Sequence, residues 1–537
     1  MESAGARPLS FFRNRPMDTD PHLIAFLLNP ESYPEKPRSI VHHETHISHV
    51  FVGRTMVYKI KKPVDFGFLD FTTIQKRRFF CAEEVRLNSR LAEGIYLGVA
   101  PIYGKGEAYS FRRARGWVIV EYAVKMLRIP EERLLSQIIE EGKLAYGGLD
   151  EVGAMLARFH GRAMAHRHDP FGTVEAIRTN TEENFAQILP HRGITVDQDT
   201  YERLVSYTRA FIDDRGEAFF RRKESGFVRE GHGDLHTGHV CLIDPPIIMD
   251  CIEFNKRFRI ADVLEDMAFL FMDMEYRGRF DLSAAASRAY FSHTVRQQAA
   301  PELITFYKVY RAIVRGKIEG FTAGGVRDEA GKSAAVRRGR EYFLLARYYA
   351  EHPEKTAFNP VVFMGVSGSG KSAISGGLLA GSLVLRSDLV RKEMAGKEPH
   401  EHVYVGYGEQ IYRDDMTQRT YLALTQAAVD SARSGQRVVV DATFLARSQR
   451  SGFYEACMGA GLNPFFIHCF ADPKILRERV RLRTAQGTDI SDARVSVLEQ
   501  QLRTSDGPDE LPSFRVFRLN TGEGTKETIQ KALRMFL

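Results

Sequence analysis

The sequence predicts two architectures in tandem. The first is an α+β part over residues 1–352, β-rich at its start and largely helical after; the second is an α/β three-layer part with a mostly parallel sheet over residues 361–537. Three observations lead to that division. At 537 residues the chain exceeds what one hydrophobic core serves, and its length suits several compact units. Beyond Pro360, short apolar runs alternate with helical stretches, the rhythm of parallel βαβ units, whereas the earlier part groups its strands before its helices. Between them the polar stretch EHPEKTAFNP, with Pro353 and Pro360, has the composition of a boundary. The expected divisions are 1–125, 126–352, a linker at 353–360, and 361–537.

Residues 1–45 read as an irregular or helical lead-in. In HVFVGRTMVYKIK (49–61), β-branched and aromatic residues flank a Gly53-Arg54 turn, which predicts a hairpin. A helical period over 75–93 places Phe79, Val85, Leu87 and Leu91 inward. A second strand pair covers 96–122 and ends in WVIVEYA. Residues 130–225 are largely helical with breaks near 147 and 170; the short apolar segments VCLID and PIIMD follow, and helices return over 261–350. In the last part VVFMG, SLVLRSD, RVVVDAT and NPFFIHCF are the expected strands.

Lys and Arg number 75 against 68 Asp and Glu, a net +7 with a pI near 9.0, which suits phosphate-bearing ligands without requiring nucleic acid. The five cysteines are scattered and form no C-x-x-C pair, so neither a disulfide-linked partner nor a zinc cage is expected, and a reducing cytoplasm fits. No apolar run is long enough for a membrane span, and the start lacks a signal-peptide pattern.

Gly365-Val366-Ser367-Gly368-Ser369-Gly370-Lys371-Ser372 fits G-x-x-x-x-G-K-[ST], between an apolar strand and a segment able to open a helix. Glycines let backbone N–H groups close around phosphate oxygens, and the helix N-terminus behind adds positive potential. Lys371 is expected on the β/γ-phosphates and the Ser372 hydroxyl on Mg²⁺. Asp388, in RSDLVRK, is placed by the strand-end rule beside this loop; it is either a base for a substrate hydroxyl, with Arg391 clamping an anionic substrate group, or a helix cap. Asp441 ends the strand VVVD, where a Mg²⁺-supporting carboxylate belongs. Arg447 and Arg450 follow. Arg479 and Arg483 share a helix face, as a lid over ATP or as a solvated basic face.

With Ser491-Asp492-Ala493, these motifs resemble the small P-loop kinases that include polynucleotide 5′-hydroxyl kinases, gluconate kinases and chloramphenicol phosphotransferases, over nearly all of 360–537. The resemblance implies Asp388 as general base and Arg391 as acceptor-binding.

HGDLHTGH (232–239) resembles the H-G-D-x-x-x-x-N catalytic loop of aminoglycoside phosphotransferases and choline-type kinases, and the likeness runs over roughly 45–290. It implies a bilobal kinase-like fold with Asp234 as base or orienter, Asp250 on the Mg²⁺ of ATP, and Lys59 on phosphate with Glu84 as its ion-pair partner. It also implies a hinge at Glu121-Tyr122-Ala123 whose backbone binds adenine, and structural aspartates at Asp262 and Asp266. Asp65-Phe66-Gly67 spells a kinase metal-binding triplet but precedes the catalytic loop, so it is read as a decoy. His239 stands where that family has a metal-binding Asn. Imidazole suits Mg²⁺ less well than an oxygen does, so His239 marks a weakened metal site, a nucleotide-binding pseudokinase, or an orienter of Asp234. A zinc site from His232, His236 and His239 is a further alternative.

The expected function is ATP- and Mg²⁺-dependent phosphoryl transfer to a small-molecule or nucleic-acid hydroxyl at one or both sites. The rivals are a nucleotide-sensing module with an N-terminal pseudokinase, and a nucleic-acid 5′-hydroxyl kinase using Arg391 and Arg447 to Arg450.

Overall fold

The computed structural model describes residues 19–294, 300–326, 328–352, 357–398, 413–486, 494–534 and 537. Helix α1 (Pro21–Leu28) leads into an antiparallel sheet of β1 (Val41–Glu44), β2 (Ser48–Val52), β3 (Met56–Lys61), β4 (Tyr96–Lys105), β5 (Ala108–Ser110) and β6 (Val118–Leu127). Their spatial order is β1-β2-β3-β6-β4-β5. The expected hairpin is β2–β3, with Val50 opposite Lys59. The lead-in ends sooner than expected, because β1 already pairs with β2. The sheet runs later, because β6 crosses the 125/126 division.

Helix α2 (Ile74–Asn88), capped by the Thr73 side chain, packs on β4 and β6. Leu87 and Leu91 are buried as expected, but Phe79 is 57% exposed. The inward face of α2 is instead Cys81, Glu84, Leu87 and Asn88. A carboxylate sits there because lysines on β3 meet it, and apolar periodicity does not register such a pair.

The helical lobe comprises α3 (Leu135–Glu140), α4 (Leu149–Arg162), α5 (Val174–Ile188), α6 (Gln198–Glu224), α7 (Lys256–Arg259), α8 (Val263–Tyr276), α9 (Phe280–Ser292), α10 (Pro301–Gly325) and α11 (Glu329–Glu351). Helix α8 is its axis, buried along its length except at Glu265, with α9 and α10 against it. Two short antiparallel pairs lie at the cleft side, β7 (Val228–Glu230) with β10 (Ile260–Asp262), and β8 (Val240–Cys241) with β9 (Ile247–Ile248).

The third unit is a wholly parallel sheet of β11 (Val361–Met364), β12 (Leu383–Arg386), β13 (Val438–Asp441), β14 (Phe465–Phe470) and β15 (Val516–Asn520), in the order β12-β13-β11-β14-β15. Every residue of β11 and β13 is buried, which explains their unbroken apolar sequence: both sheet faces are covered. On one face lie α12 (Lys371–Ser375) and α18 (Lys526–Leu533); on the other lie α14 (Asp414–Arg433) and α15 (Arg447–Gly459). Helices α13 (Ser387–Met394), α16 (Pro473–Gln486) and α17 (Val495–Thr504) gather near the phosphate loop and the strand ends.

The helical lobe and the parallel sheet share apolar packing. Phe514 joins the cluster of Tyr276, Tyr342 and Phe343, while Leu144 and Phe280 pack on the sheet's core. A Cβ on Gly278 would lie 2.0 Å from the Val516 carbonyl oxygen, so only glycine permits this approach. The Asn520 N–H donates to the Gly142 carbonyl at 3.1 Å. The Tyr276 hydroxyl (3.0 Å) and the Ser513 hydroxyl (2.7 Å) both donate to the Glu341 carboxylate.

Candidate active sites

The first site lies where the antiparallel sheet faces the helical lobe. Period-two geometry puts Lys59 and Lys61 on one face of β3. Lys59 Nζ is 2.9 Å from the Glu84 carboxylate and 2.8 Å from Asp250 Oδ1. Lys61 Nζ is 2.7 Å from Glu84 and also pairs with Glu253. Burial works against the Lys59 ammonium, but Asp250 and Glu84 hold its pKa well above the ordinary value. Burial likewise opposes the Asp250 carboxylate, and Lys59 and His239 outweigh it, so its pKa falls below the usual range. Asp250 adopts φ +65°, a strained conformation for a non-glycine residue, and its side chain remains 45% exposed. Burial raises the Glu253 pKa despite Lys61, and of the three carboxylates around these two ammoniums only Asp250 is exposed enough to meet a divalent cation.

The loop 231–239 carries Asp234 and is held from beneath. Asp266 accepts the His232 N–H at 2.6 Å and the Gly233 N–H at 2.8 Å, and its other neighbour is His160 Nε2 at 3.3 Å. Gly231 has no room for a Cβ, which would stand 2.3 Å from Asp266 Oδ2. Asp273 accepts the Thr237 N–H at 3.0 Å and the Thr237 hydroxyl. Asp262 pairs with Arg222 at 2.8 Å, so both expected aspartates brace this lobe.

Hydrogen bonding puts the proton of His232 and His236 on Nε2 and a proton of His239 on Nδ1, and gives the three histidines separate tasks. His232 donates Nε2–H to the Met249 carbonyl (2.9 Å) and accepts the Asp234 N–H at Nδ1 (3.2 Å). Burial pushes its pKa down to about 4, so it is neutral and fully used. His236 accepts the Gly238 N–H at Nδ1 (3.1 Å), which leaves its proton on Nε2, 3.7 Å from Asp234 Oδ2. His239 donates Nδ1–H to the Asp234 carbonyl at 2.9 Å and places Nε2 3.6 Å from Asp250 Oδ2. Among the described residues, ligand-capable atoms of Asp234, His236 and His239 lie within 4.8 Å of one another. A zinc site from His232, His236 and His239 is nevertheless ruled out, because backbone groups occupy both His232 nitrogens and protonation occupies His236 Nε2. The pair that fits a divalent cation is His239 Nε2 with the Asp250 carboxylate.

The hinge expected at Glu121 and Ala123 is not there. Glu121 is buried and receives Arg77 Nε at 2.8 Å. Ala123 sits mid-sheet, opposite Ile60 on β3 and Ala100 on β4, with no free backbone edge for adenine. The strand continues to Leu127. Asp65-Phe66-Gly67 forms a turn in which Asp65 Oδ1 accepts the Gly67 N–H at 2.8 Å, and Phe66 packs in the cluster of Phe71 and Phe254.

The second site is the loop between β11 and α12. Gly365, Gly368 and Gly370 all have positive φ, and a Cβ on Gly365 would lie 2.1 Å from the Cys469 carbonyl oxygen. Ser367 and Ser369 line the loop as buried residues, with Val366 packed beneath. Lys371 curls back, donating Nζ–H to the Gly365 (2.8 Å) and Val366 (3.0 Å) carbonyls, and burial lowers its pKa. Ser372 is exposed. Asp441 ends β13 beside β11 and lies 3.4 Å from Arg386, so it borders the crevice where strand order reverses. A hydroxyl and a carboxylate there fit a hard cation such as Mg²⁺.

Asp388 lies in the first turn of α13 rather than at a strand end, and Arg386 takes the cap position, so the capping alternative fails. Arg391 Nη1 donates to Asp388 at 3.3 Å. Arg450 is tied to Glu510 and to the Phe444, Leu445 and Gly507 carbonyls, and Arg447 lies 3.7 Å from Glu510. The basic surface expected for nucleic acid is thus largely consumed by internal bonds. Arg479 donates to the Thr521 hydroxyl (2.9 Å) and carbonyl (2.7 Å) and reaches the Gly368 carbonyl at 3.5 Å, bracing the phosphate loop. Arg483, one turn on, is near enough for its charge to act on Lys371. Ser491-Asp492-Ala493 lies outside the described residues.

Sequence reasoning missed Lys61 with Glu253, Asp273, and Gln501, whose Oε1 accepts the Ser367 N–H of the phosphate loop at 2.8 Å. Lys61 had a signal, its spacing from Lys59. Gln501 had none, because only the return of α17 across the loop brings it there.

The family model described as an AAA domain matches residues 361–508. Fold, phosphate loop and this match define a P-loop domain that follows a part built from an antiparallel sheet and a helical lobe. An uncharacterized protein of Mycobacterium tuberculosis, Rv2004c, is 29% identical over 456 residues, covering 83% of this chain and 86% of that one. A gluconokinase from Sinorhizobium meliloti aligns at 24% identity with 34% of this chain and 93% of its own (TM-score 0.25). Amicoumacin kinase hAmiN, in complex with AMP-PNP, Ca²⁺ and Ami, aligns at 14% identity with 60% of this chain and 92% of its own (TM-score 0.36). Among the described residues no helix is long and apolar enough to cross a membrane, and all five cysteines are free thiols.

Proposed function

We propose that the chain is a bifunctional ATP-dependent phosphotransferase acting on hydroxyl acceptors. One site lies in the kinase-like part, with a lobe junction near Leu127, and one in the part from residue 361 on. The supporting observation is that each part assembles its own phosphate-facing lysine, metal-suited carboxylate and partly exposed aspartate: Lys59, Asp250 and Asp234, then Lys371, Asp441 and Asp388.

At either site the acceptor oxygen attacks the γ-phosphorus, the bond from that phosphorus to the β–γ bridging oxygen breaks, and ADP leaves. The acceptor proton passes to Asp234 or Asp388. His236 Nε2–H steadies the Asp234 carboxylate. Asp250 with His239, and Asp441 with Ser372, would hold the divalent cation, which when bound offsets phosphate charge. In the first site adenine would meet the backbone beyond Leu127, where β6 leaves the sheet; in the second, Arg479 and Arg483 would close over ATP. The rival reading, a pseudokinase in the first part, draws on the nitrogen ligand at His239.

The test is ADP release by the full-length protein with fractionated cell extract as acceptor source, comparing wild type, Asp234→Ala, Asp388→Asn and the double variant. Each single variant should lose one set of phosphorylated products by about 10²-fold or more, as loss of a catalytic base commonly causes. Products that depend on Asp388 alone would make the first part a regulator.

A further inference from the structure

Helix α10 sends two arginines, Arg311 and Arg315, toward the catalytic loop; a spacing of four puts them on one face. Arg311 is claimed: its Nη2 lies 2.7 Å from Glu265, and its guanidinium lies over the Phe269 ring at 4.8 Å. Phe269 in turn packs against His236, with ring centroids 5.8 Å apart. Arg315, one turn further, lies 5.5 Å from the centre of the Tyr342 ring. Its Nε is shut off from solvent without a hydrogen-bond partner, while the residue as a whole keeps partial exposure.

The carboxylates around Arg315 have other commitments. Asp273 is bound by Thr237 and lies 3.5 Å from Arg277; Glu319 holds Arg338 at 2.8 Å; Glu341 takes two hydroxyls. No carboxylate lies within ion-pair distance of Arg315 among the described residues. Arg315 shares a side-chain hydrogen bond with the Tyr342 hydroxyl, but burial raises the pKa of that phenol, so it stays neutral and does not balance the charge. The charge of Arg315 acts on Asp273, Asp234 and His236, whereas Asp250 answers chiefly to Lys59, His239 and His232. Through Phe269, which lies under Arg311 and packs on His236, the end of α10 that carries Arg311 and Arg315 adjoins the Asp234 loop. A partly exposed guanidinium with no carboxylate in ion-pair distance is matched to phosphate or carboxylate, which it can grip through two parallel N–H bonds. Polycationic or quaternary-amine acceptors would be repelled.

We propose that Arg315 is the anion-binding residue of the acceptor pocket in the kinase-like part, and that the acceptor is a hydroxyl compound bearing a phosphate or carboxylate group. This rests on the first part being a nucleotide site with Asp234 at its centre.

The test uses full-length protein saturated with AMP-PNP, titrated calorimetrically with inorganic phosphate, glycerol 3-phosphate, D-glycerate, glycerol and spermidine. The anions should bind and the neutral and cationic probes should not. Arg315→Gln should weaken anion binding by at least about tenfold, as loss of a charged bidentate contact does, with Arg315→Lys between the two. Equal anion binding by wild type and Arg315→Gln would overturn the proposal. So would absence of anion binding, a preference for spermidine or glycerol, or displacement of phosphate by AMP-PNP, which would assign Arg315 to the nucleotide. If Arg315→Gln does not fold, Arg315→Lys and the displacement experiment decide. Nucleotide binding to Lys371→Ala, with and without Lys59→Ala, is measured separately; its failure would sink the nucleotide site while leaving the anion result readable.

Discussion

Replacing His239 by asparagine separates its two contacts. The imidazole donates Nδ1–H to the Asp234 carbonyl at 2.9 Å and points Nε2 at Asp250 Oδ2, 3.6 Å away. Loss of the first contact costs about 1 kcal/mol, and it does so whichever metal accompanies the nucleotide. Loss of the nitrogen ligand is selective: Mn²⁺ accepts imidazole readily, whereas Mg²⁺ favours oxygen. A change in the ligand set of this kind is worth about 10- to 100-fold in affinity, or about 1.4–2.8 kcal/mol. His239→Asn should thus lower the Mn²⁺-over-Mg²⁺ preference by at least about tenfold and raise Mg²⁺-supported turnover at this site. The assay is Mn²⁺ binding followed by electron paramagnetic resonance in full-length Lys371→Ala with AMP-PNP, with Mg²⁺ as competitor. A preference ratio identical in the two proteins would refute the reasoning, because the metal would then not touch His239. Turnover that falls equally with both metals would show that only the contact to Asp234 matters.

Three other outcomes follow from the same geometry. Lys371→Ala should reduce the calorimetric AMP-PNP stoichiometry from two per chain to one; two equivalents in the variant would show that the loop holds nucleotide without its lysine. Asp266→Ala strands the His232 and Gly233 N–H groups, so it should destabilise the protein by about 3 kcal/mol or more in urea unfolding, and a loss under about 1 kcal/mol would mean that the loop does not hang on Asp266. Stability should also fall on acidification between pH 6.5 and about 4, the ordinary and the folded values for His232. In that window the unfolded imidazole takes up a proton that the buried one refuses, so the unfolded state binds more protons and stability rises with pH, by about 3 kcal/mol from this residue. His232→Gln should flatten that slope in denaturation followed by circular dichroism; a slope unchanged by the substitution would assign the acid sensitivity to other groups.

The phosphate loop and the loop at 232–239 were legible because their chemistry is local: consecutive residues supply the glycines, the lysine and the aspartate. Parallel strands were legible for a related reason, since a strand covered on both faces has to be apolar throughout. What escaped depends on distant segments meeting. Nothing in VIVEYAVKML reveals where β4 and β3 stop pairing, so the adenine edge was placed at Glu121–Ala123, inside the sheet. The inward face of α2 was misread at Phe79 because the residue that belongs inside, Glu84, is charged and becomes apolar-compatible only once Lys59 and Lys61 neutralise it. The histidine tautomers, and with them the choice between a zinc cage and a nitrogen–carboxylate pair, depend on backbone carbonyls that only the folded loop presents.

The shared packing around Phe514 bears on how the protein is made. Tyr342 and Phe343 leave the ribosome about 170 residues before Phe514, and Tyr276 about 240 before it, which at typical synthesis rates is a wait of about 10–50 s. During that interval the nascent helical lobe displays an uncovered aromatic surface, and Gly278 waits for the strand that will pass beside it. The kinase-like part can therefore reach its final packing only after the parallel sheet is nearly finished, so a polymerase or ribosome stall late in the message should strand an aggregation-prone, chaperone-bound intermediate. Truncation at residue 352 would make that intermediate permanent, and a soluble single-site fragment would then need polar replacements on the face that Phe514 covers.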